Sequence, residues 1–331
     1  MSRRTVLRRS AWAMFGLAGA PRLLFAQPAR RVHKLGILLA TSPPVDGQNA
    51  STLVPLALEG LGYRTGRDLL VEKRFAEGKP ERLDALAANL VQWGADVIVA
   101  VGLRPIQAAR RASAATPIVF YGNFDPIAAG IVESLARPGG NLTGVLIAPE
   151  GTLAAKRLEL LAELIAPAKR IAFLASDDPL AMDLQVREAR KAADKLGMEM
   201  PVVALRNSDY NAAFAAIAAL RPNGLFVAGS AFFMRDRATI ISLAAKHRLP
   251  ATYEWREQVE SGGLIAYGTN LAATTARVAD FVDRIFKGRQ PAEMPVEQPT
   301  RFELSLNLKT ARALGIKVPG TIMLRAQTVI E

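Results

Sequence analysis

The chain has 331 residues, half of them hydrophobic and 22% charged, with no cysteine and two histidines. That length holds one large domain or two ordinary ones, and the lack of cysteine excludes disulfides, thiolate zinc sites, cysteine nucleophiles and a lipid-modified cysteine. The formal net charge is +12, but the first 26 residues carry Arg3, Arg4, Arg8, Arg9 and Arg22 and no acid, so +12 less these five leaves +7. The other basic residues are dispersed, without the dense Lys/Arg run interleaved with aromatics that a nucleic-acid groove needs. His33 and His247 lie far apart in sequence, which argues against a histidine-based metal site. Beyond the N-terminus there is no apolar run of about 18 residues, so no internal transmembrane helix is expected.

Ser2-Arg3-Arg4-Thr5-Val6-Leu7-Arg8 opens the chain, followed by mildly apolar stretches at 11–20 and 23–26. A paired arginine before a weak apolar segment has the layout of a twin-arginine export signal, with a disordered basic tail as the other reading. Cleavage is expected after Ala26. Leu24, three residues upstream, is larger than the small residue such sites prefer, so an uncleaved anchor stays open. Residues 1–30 are therefore set aside from the fold as signal and linker, and the periplasm is the expected destination.

Residues 34–40 then read as a parallel core strand closed by Thr41-Ser42-Pro43-Pro44. A short helix at 54–61, a turn at 62–68 and an alternating strand at 69–75 follow. Leu83, Leu86, Leu90 and Val91 mark an amphipathic helix over 81–93. Residues 96–101 are a fully buried strand ending at Gly102-Leu103-Arg104-Pro105, 106–114 a short helix, and 117–121 a fourth strand. The stretch 135–145 (LARPGGNLTGV) is too rich in Pro and Gly for an element interior until Thr143. It is the expected crossing into a second half, with a strand over 143–147.

The same grammar then restarts. Helices are expected at 152–165, 180–196 (ended by Gly197), 210–220 and 236–247, and strands at 170–175, 200–205, 224–228, 250–253 and 263–267. A helix at 272–286 carries Asp280/Arg284 and Asp283/Lys287 at i,i+4 spacing. A last strand at 302–306 and a short capped helix at 307–315 close the chain. Alternating strand and helix predicts parallel sheets with helices on both faces. The fold expected is therefore α/β and two-lobed. Lobe 1 spans 31–142 and is completed by about 270–298; lobe 2 spans 143–268 and is completed by about 302–331.

In open parallel sheets ligands bind beyond the carboxyl ends of the strands, where loop amides and helix N-termini point. Those positions nominate Thr41 and Ser42; Gly102, Leu103 and Arg104; Tyr121, Asn123 and Asp125; Ser176, Asp177 and Asp178; Ser230, Ala231 and Phe232; Tyr253 and Glu254; and Tyr267. Several have a second reading: Ser42, Asp125 and Asp178 as helix caps, Arg104 as a solvated charge, and Tyr121, Tyr253 and Tyr267 as core. The recurrence of hydroxyls, carboxylates and aromatics at one end of successive strands favours a ligand site. A zwitterion needs that mixture: amides and hydroxyls for its carboxylate, an acid for its amine, and an apolar wall for the rest. Enzyme signatures are missing. There is no G-x-S-x-G elbow, no P-loop and no G-x-G-x-x-G after the first strand. Gly139-Gly140 precedes no helix, and Asp177 and Asp178 are adjacent rather than facing.

The sequence resembles the solute-binding proteins of bacterial ABC importers, in the group that includes tryptophan- and tyrosine-binding members. The residues carrying the likeness are Ala76-Glu77-Gly78 with Arg82-Leu83, the runs 96–100 and 117–120 with Asp125-Pro126, and the stretch 135–145. Further on come 155–161, Arg248-Leu249-Pro250, 261–264 with Tyr267-Gly268, and 304–314 after 295–300. The resemblance implies a periplasmic-binding fold of type I-like form, with a hinge of three crossings near 141–144, 268–271 and 298–302. It also implies no catalysis, no cofactor, no metal, an ABC permease as membrane partner and a monomeric receptor. One departure is that 41–51, bordering the expected cleft, is short and Gly/Pro-containing where relatives usually have a longer helix, so the ligand is not carried over. The other readings are a ligand-sensing regulator of the lac-repressor kind and an unrecognised α/β enzyme. The regulator would need a helix-turn-helix before the first strand, where an export-like segment stands.

Overall fold

A computed structural model describes residues 31–44, 49–148, 152–176 and 179–331. The expected export segment therefore lies outside the described residues. The first half runs β1 (His33–Leu39), α1 (Ala50–Gly60), β2 (Leu69–Phe75), α2 (Leu83–Gln92), β3 (Val97–Val101), α3 (Leu103–Ala112), β4 (Ile118–Gly122) and β5 (Leu142–Leu146). The strands form one wholly parallel sheet in the order β2-β1-β3-β4-β5. Such a sheet must be covered on both faces, which is why its strands are near-continuous apolar runs. Successive side chains serve opposite faces. Val97, Val99 and Val101 enter one core cluster, and Ile98 and Ala100 the other.

The second half runs α4 (Thr152–Leu164), β6 (Ile171–Ala175), α5 (Pro179–Lys195), β7 (Val202–Ala204), α6 (Tyr210–Ala219), β8 (Gly224–Val227), α7 (Ala231–Arg235), α8 (Arg237–Lys246), β9 (Ala251–Tyr253), α9 (Arg256–Glu260) and β10 (Ile265–Gly268). After it come α10 (Leu271–Phe286), β11 (Glu303–Asn307), α11 (Leu308–Leu314), α12 (Gly320–Arg325) and β12 (Thr328–Ile330). The second sheet has the order β12-β11-β10-β9-β8-β6-β7, parallel except where β11 runs against β10. A single large apolar cluster fills this half.

Residues 32–331 form one compact unit, within which the chain passes three times between the sheets. After Leu146 it leaves the first sheet, between β10 and α10 it returns, and between Glu297 and β11 it leaves again. The return builds α10 into the first half. Its buried face, Leu271, Thr274, Thr275, Val278, Val282 and Ile285, has i,i+3/i+4 spacing and packs on α1 and on β3 to β5. The segment after α10 is then tied alongside β5. Leu146 N donates to Glu297 O at 2.9 Å, Glu297 N to Gly144 O at 3.0 Å, and the Thr143 hydroxyl to Met294 O at 2.7 Å.

Three differences from the sequence reading have physical causes. The stretch expected to cross at 141–144 forms β5, the last strand of the first sheet, and the chain passes on to the second sheet after Leu146. Gly144 permits this pairing, because a Cβ there would overlap the Phe120 carbonyl. Helix α3 begins at Leu103 rather than 106, since Pro105 sits in the first turn, where a missing N–H costs nothing. The short helices α7, α9 and α12 and strand β12 were not expected; at three to six residues they are too brief for periodicity to register. Among the described residues no helix is long and apolar enough to cross a membrane.

Candidate functional site

Strand order reverses between β1 and β3 in the first sheet, and between β6 and β8 in the second. At such switch points the loops diverge and leave a crevice at the carboxyl ends of the strands. A cavity of about 290 Å³ occupies that place, lined from both halves.

On the first-half wall, Leu39, Ala40 and Thr41 follow β1. The turn Ala76-Glu77-Gly78 is hooked onto them through Ala76 N to Leu39 O at 2.9 Å and Gly78 N to Ala40 O at 2.8 Å. Gly102, with φ 89°, turns β3 sharply into α3, so Leu103 and Arg104 open a helix directly at the cavity. Beyond β4 stand Tyr121, Gly122, Asn123 and Phe124. The Tyr121 hydroxyl lies 2.8 Å from Thr274 Oγ1 on α10, and burial raises the pKa of the phenol, so it acts as a neutral hydrogen-bonding group.

The second-half wall comes from the ends of β6 to β9. Ser230 caps α7 by accepting from Phe232 N at 3.2 Å, and Phe232 reaches across the cleft mouth to within 4.0 Å of where a Cβ on Gly78 would be. Asn207 and Ser208 take left-handed backbone conformations, φ 50° and 56°, and project from the loop after β7. Glu254 and Trp255 follow β9, and the Gln258 side chain holds their backbone by accepting from both N–H groups at 3.2 and 3.1 Å.

Glu254 is 1% exposed, and its carboxylate lies over Gly229, in a hollow that a Cβ at Gly229 would fill. Neither carboxylate oxygen has a hydrogen-bond partner among the described residues. Burial pushes its pKa above the usual glutamate range, and the charge of Arg157 pulls it partly back. Arg157, on α4, is fully buried, 4.8 Å from the Phe226 ring centroid, and its Nη2 donates to Gln185 Oε1 at 3.2 Å. Gln185 in turn clamps Gly229 through both backbone groups, at 2.8 and 2.9 Å. Trp255 Nε1 is also buried without a partner, while its ring joins the first half's core beside Val101, Tyr121 and Ile147.

Of the residues nominated from sequence, the structure brings Thr41, Gly102, Leu103, Arg104, Tyr121 and Asn123 to one wall, and Ser176, Ser230, Ala231, Phe232 and Glu254 to the other. It places four elsewhere. Ser42 is half-buried and off the cavity. Asp125 caps the turn after β4, accepting from Ile127 N at 2.9 Å and Ala128 N at 3.0 Å. Tyr253 is core, because strand alternation turns it away from the face that Glu254 occupies. Tyr267 packs on Phe302 with ring centroids 6.0 Å apart. Asp177 and Asp178 lie outside the described residues. The sequence reading missed Trp255, one residue past the nominated strand end, and the polar loop Asn207-Ser208 after β7, which the strand-end rule would have reached.

Among the described lining residues two carry formal charge, Arg104 on the first wall and Glu254 on the second, with mostly apolar and aromatic surface between them. That arrangement suits a small dipolar molecule. Among the described residues no group of His, Cys, Asp and Glu could hold a metal ion.

Comparison with known proteins fits this geometry. The family described as ABC transporter substrate binding protein matches residues 51–330. A tyrosine-binding protein of Clostridioides difficile (strain R20291) is 24% identical over 262 residues, covering 79% of this chain and 75% of that protein. A conserved domain protein from Vibrio cholerae superposes with a TM-score of 0.82 at 23% identity, over 90% of this chain and 100% of the other. The ABC domain from Streptococcus pneumonia in complex with L-Trp superposes with a TM-score of 0.81, again at 23% identity and with the same coverage. The fold is thus the α/β two-lobed periplasmic-binding fold of type I. With most of its length matched, this chain belongs to the ABC transporter substrate-binding protein family, whose members bind a solute and do not transform it.

Proposed function

We propose that the protein is the receptor of an ABC import system, taking up one small amino acid-like or aromatic solute in the inter-lobe cavity and delivering it to a membrane permease. The observation that carries this reading is one largely apolar cavity lined by Arg104 on one wall and Glu254 on the other. Its volume, about 290 Å³, is at the small end of ligand sites and suits a single small molecule rather than a peptide. The names of the tyrosine-binding relative and of the L-Trp complex support the same class. The three chain passages between the sheets serve as the hinge, and closure excludes water, which strengthens each polar contact to the ligand. The paired arginines at the N-terminus support export to the periplasm by the twin-arginine route, where the receptor acts as a monomer.

The test is thermal unfolding of the full chain against a panel of amino acids and small aryl acids at about millimolar concentration. A ligand at 100 times its Kd stabilises the native state by about 2.7 kcal/mol. For a chain of this size that raises Tm by about 5 °C. A panel in which no compound shifts Tm refutes the receptor reading.

A further inference from the structure

Two buried charges in the second half are not explained by packing. Arg157 is fully buried on α4, and its Nε and Nη1 have no hydrogen-bond partner among the described residues. Glu254 is buried at the cavity with both carboxylate oxygens unpartnered. Burying a charge without hydrogen bonds is costly, and replacing such a pair by apolar residues is often neutral or stabilising. The local backbone is shaped around the acid: a Cβ on Gly229 would strike its carboxyl, and one on Gly268 would overlap its main-chain carbonyl. Arg157, Gln185 and Gly229 form a chain of contacts that ends beneath the carboxylate. The acid is thus held in a fitted hollow at the cavity with its acceptor capacity unspent.

We propose that Glu254 selects ligands bearing a protonated amine, and that Arg157, which does not line the cavity, is a positioning residue that acts on the acid from behind, through Gln185 and Gly229 and through its own buried charge. This rests on the reading of the cavity as a solute site. An ammonium group donates to the oxygens the protein leaves unpartnered, and a ligand carboxylate is met on the other side by Arg104 and the α3 amides. The ionisable groups that act with the acid are Arg157 from α4 and the Tyr121 phenol from β4, on which Glu257 from α9 also acts, with Arg104 lining the other wall and Arg237 and Arg256 acting on Glu257. Of these, Arg157 is the charge that opposes the effect of burial on Glu254. Binding of an amine therefore weakens as pH falls through the raised Glu254 range. Removing the charge of Arg157 moves that acid limb to higher pH.

The experiment titrates the full chain by calorimetry with L-tryptophan, L-tyrosine, tryptamine, tyramine, indole-3-propionate and benzoate across a pH series. At neutral pH the wild type is expected to bind an amine probe about 30-fold or more tightly than its deaminated counterpart, and Glu254→Gln to erase that preference. Arg157→Met, and Arg157→Gln as a second uncharged variant, should shift the acid limb of amine binding upward, while Arg157→Lys keeps the wild-type profile. In a Glu254→Gln background, Arg157→Gln should change the amine preference no further. Discrimination that survives Glu254→Gln overturns the assignment of the acid. Uncharged Arg157 variants that lower Tm but leave the pH profile in place overturn its positioning role. If benzoate or indole-3-propionate binds and no amine does, the amine selectivity falls while the receptor reading stands. If no probe binds, both fall.

Discussion

Gly229 offers the sharpest test of how the cavity floor is built. A Cβ at this position would overlap Glu254 Oε2 outright and lie 2.5 Å from Cδ and 3.0 Å from Oε1, against ordinary contacts of 3.4 Å or more. Gly229→Ala therefore requires the carboxylate to leave its place or the floor to move by well over about 1 Å, and neither side yields freely. Gln185 holds Gly229 by both backbone groups, and the Glu254 backbone is pinned by Gln258 and pressed against Gly268. Overpacking of this kind costs about 1–3 kcal/mol, which lowers Tm by about 2–6 °C in a chain of this size. Because the carboxylate is driven from its hollow, affinity for an amine ligand should fall in parallel. Glu254→Ala in the same chain removes the obstacle, so Gly229→Ala/Glu254→Ala should melt above the sum expected from the single variants, by about 0.5–3 kcal/mol of coupling. It should not regain affinity. Scanning calorimetry and ligand titration of the three variants read both quantities. A Gly229→Ala protein that melts and binds like the wild type, or additive single variants, refutes this account of the floor.

Asp125→Ala should lower stability by about 0.5–2 kcal/mol through loss of its turn cap, while ligand affinity is unchanged; a large loss of affinity at constant Tm would instead put the carboxylate in the site. The pH dependence of the ligand-free protein offers another check. The folded pKa of Glu254 is raised above its unfolded value, so its contribution to stability is full below the unfolded pKa and is lost as pH rises through the folded one. The Tm difference between wild type and Glu254→Gln should therefore move against the wild type as pH rises above the usual glutamate range. Parallel curves would show that Glu254 titrates normally.

Much of the architecture was legible because its signals are local. Apolar β-branched runs as short as 97–101, closed by Gly102, read as strands buried on both faces, and the i,i+3/i+4 apolar spacing of α10 marks a helix before any partner is known. The strand-end rule reached most of the cavity-lining loops for a similar reason: in a parallel sheet, chain direction alone fixes which end each loop occupies. It could not sort Glu254 from Tyr253. Both stand at the end of β9, and which of them faces the cavity depends on the strand's register against β8 and β10. Asp125 failed in the opposite way. Sequence leaves it as ligand contact or cap, and two backbone N–H groups two and three residues on claim its carboxylate locally.

The stretch 135–145 separates the two sources of information. Its Pro and Gly content determined that the chain must turn there, and the residues from Thr143 determined that a strand must follow. Whether that strand closes the first sheet or opens the second was decided by β4, since pairing Ile118 with Leu142 through to Gly122 with Leu146 needs the side-chain-free Gly144 against the Phe120 carbonyl. The cavity follows the same division. Sequence alone supplied an acid, a guanidinium and aromatics at strand ends. The meeting of Arg104 and Glu254 at one cavity, and the burial of Arg157 behind the acid, arise from contacts between residues far apart in the chain, and no local pattern encodes those.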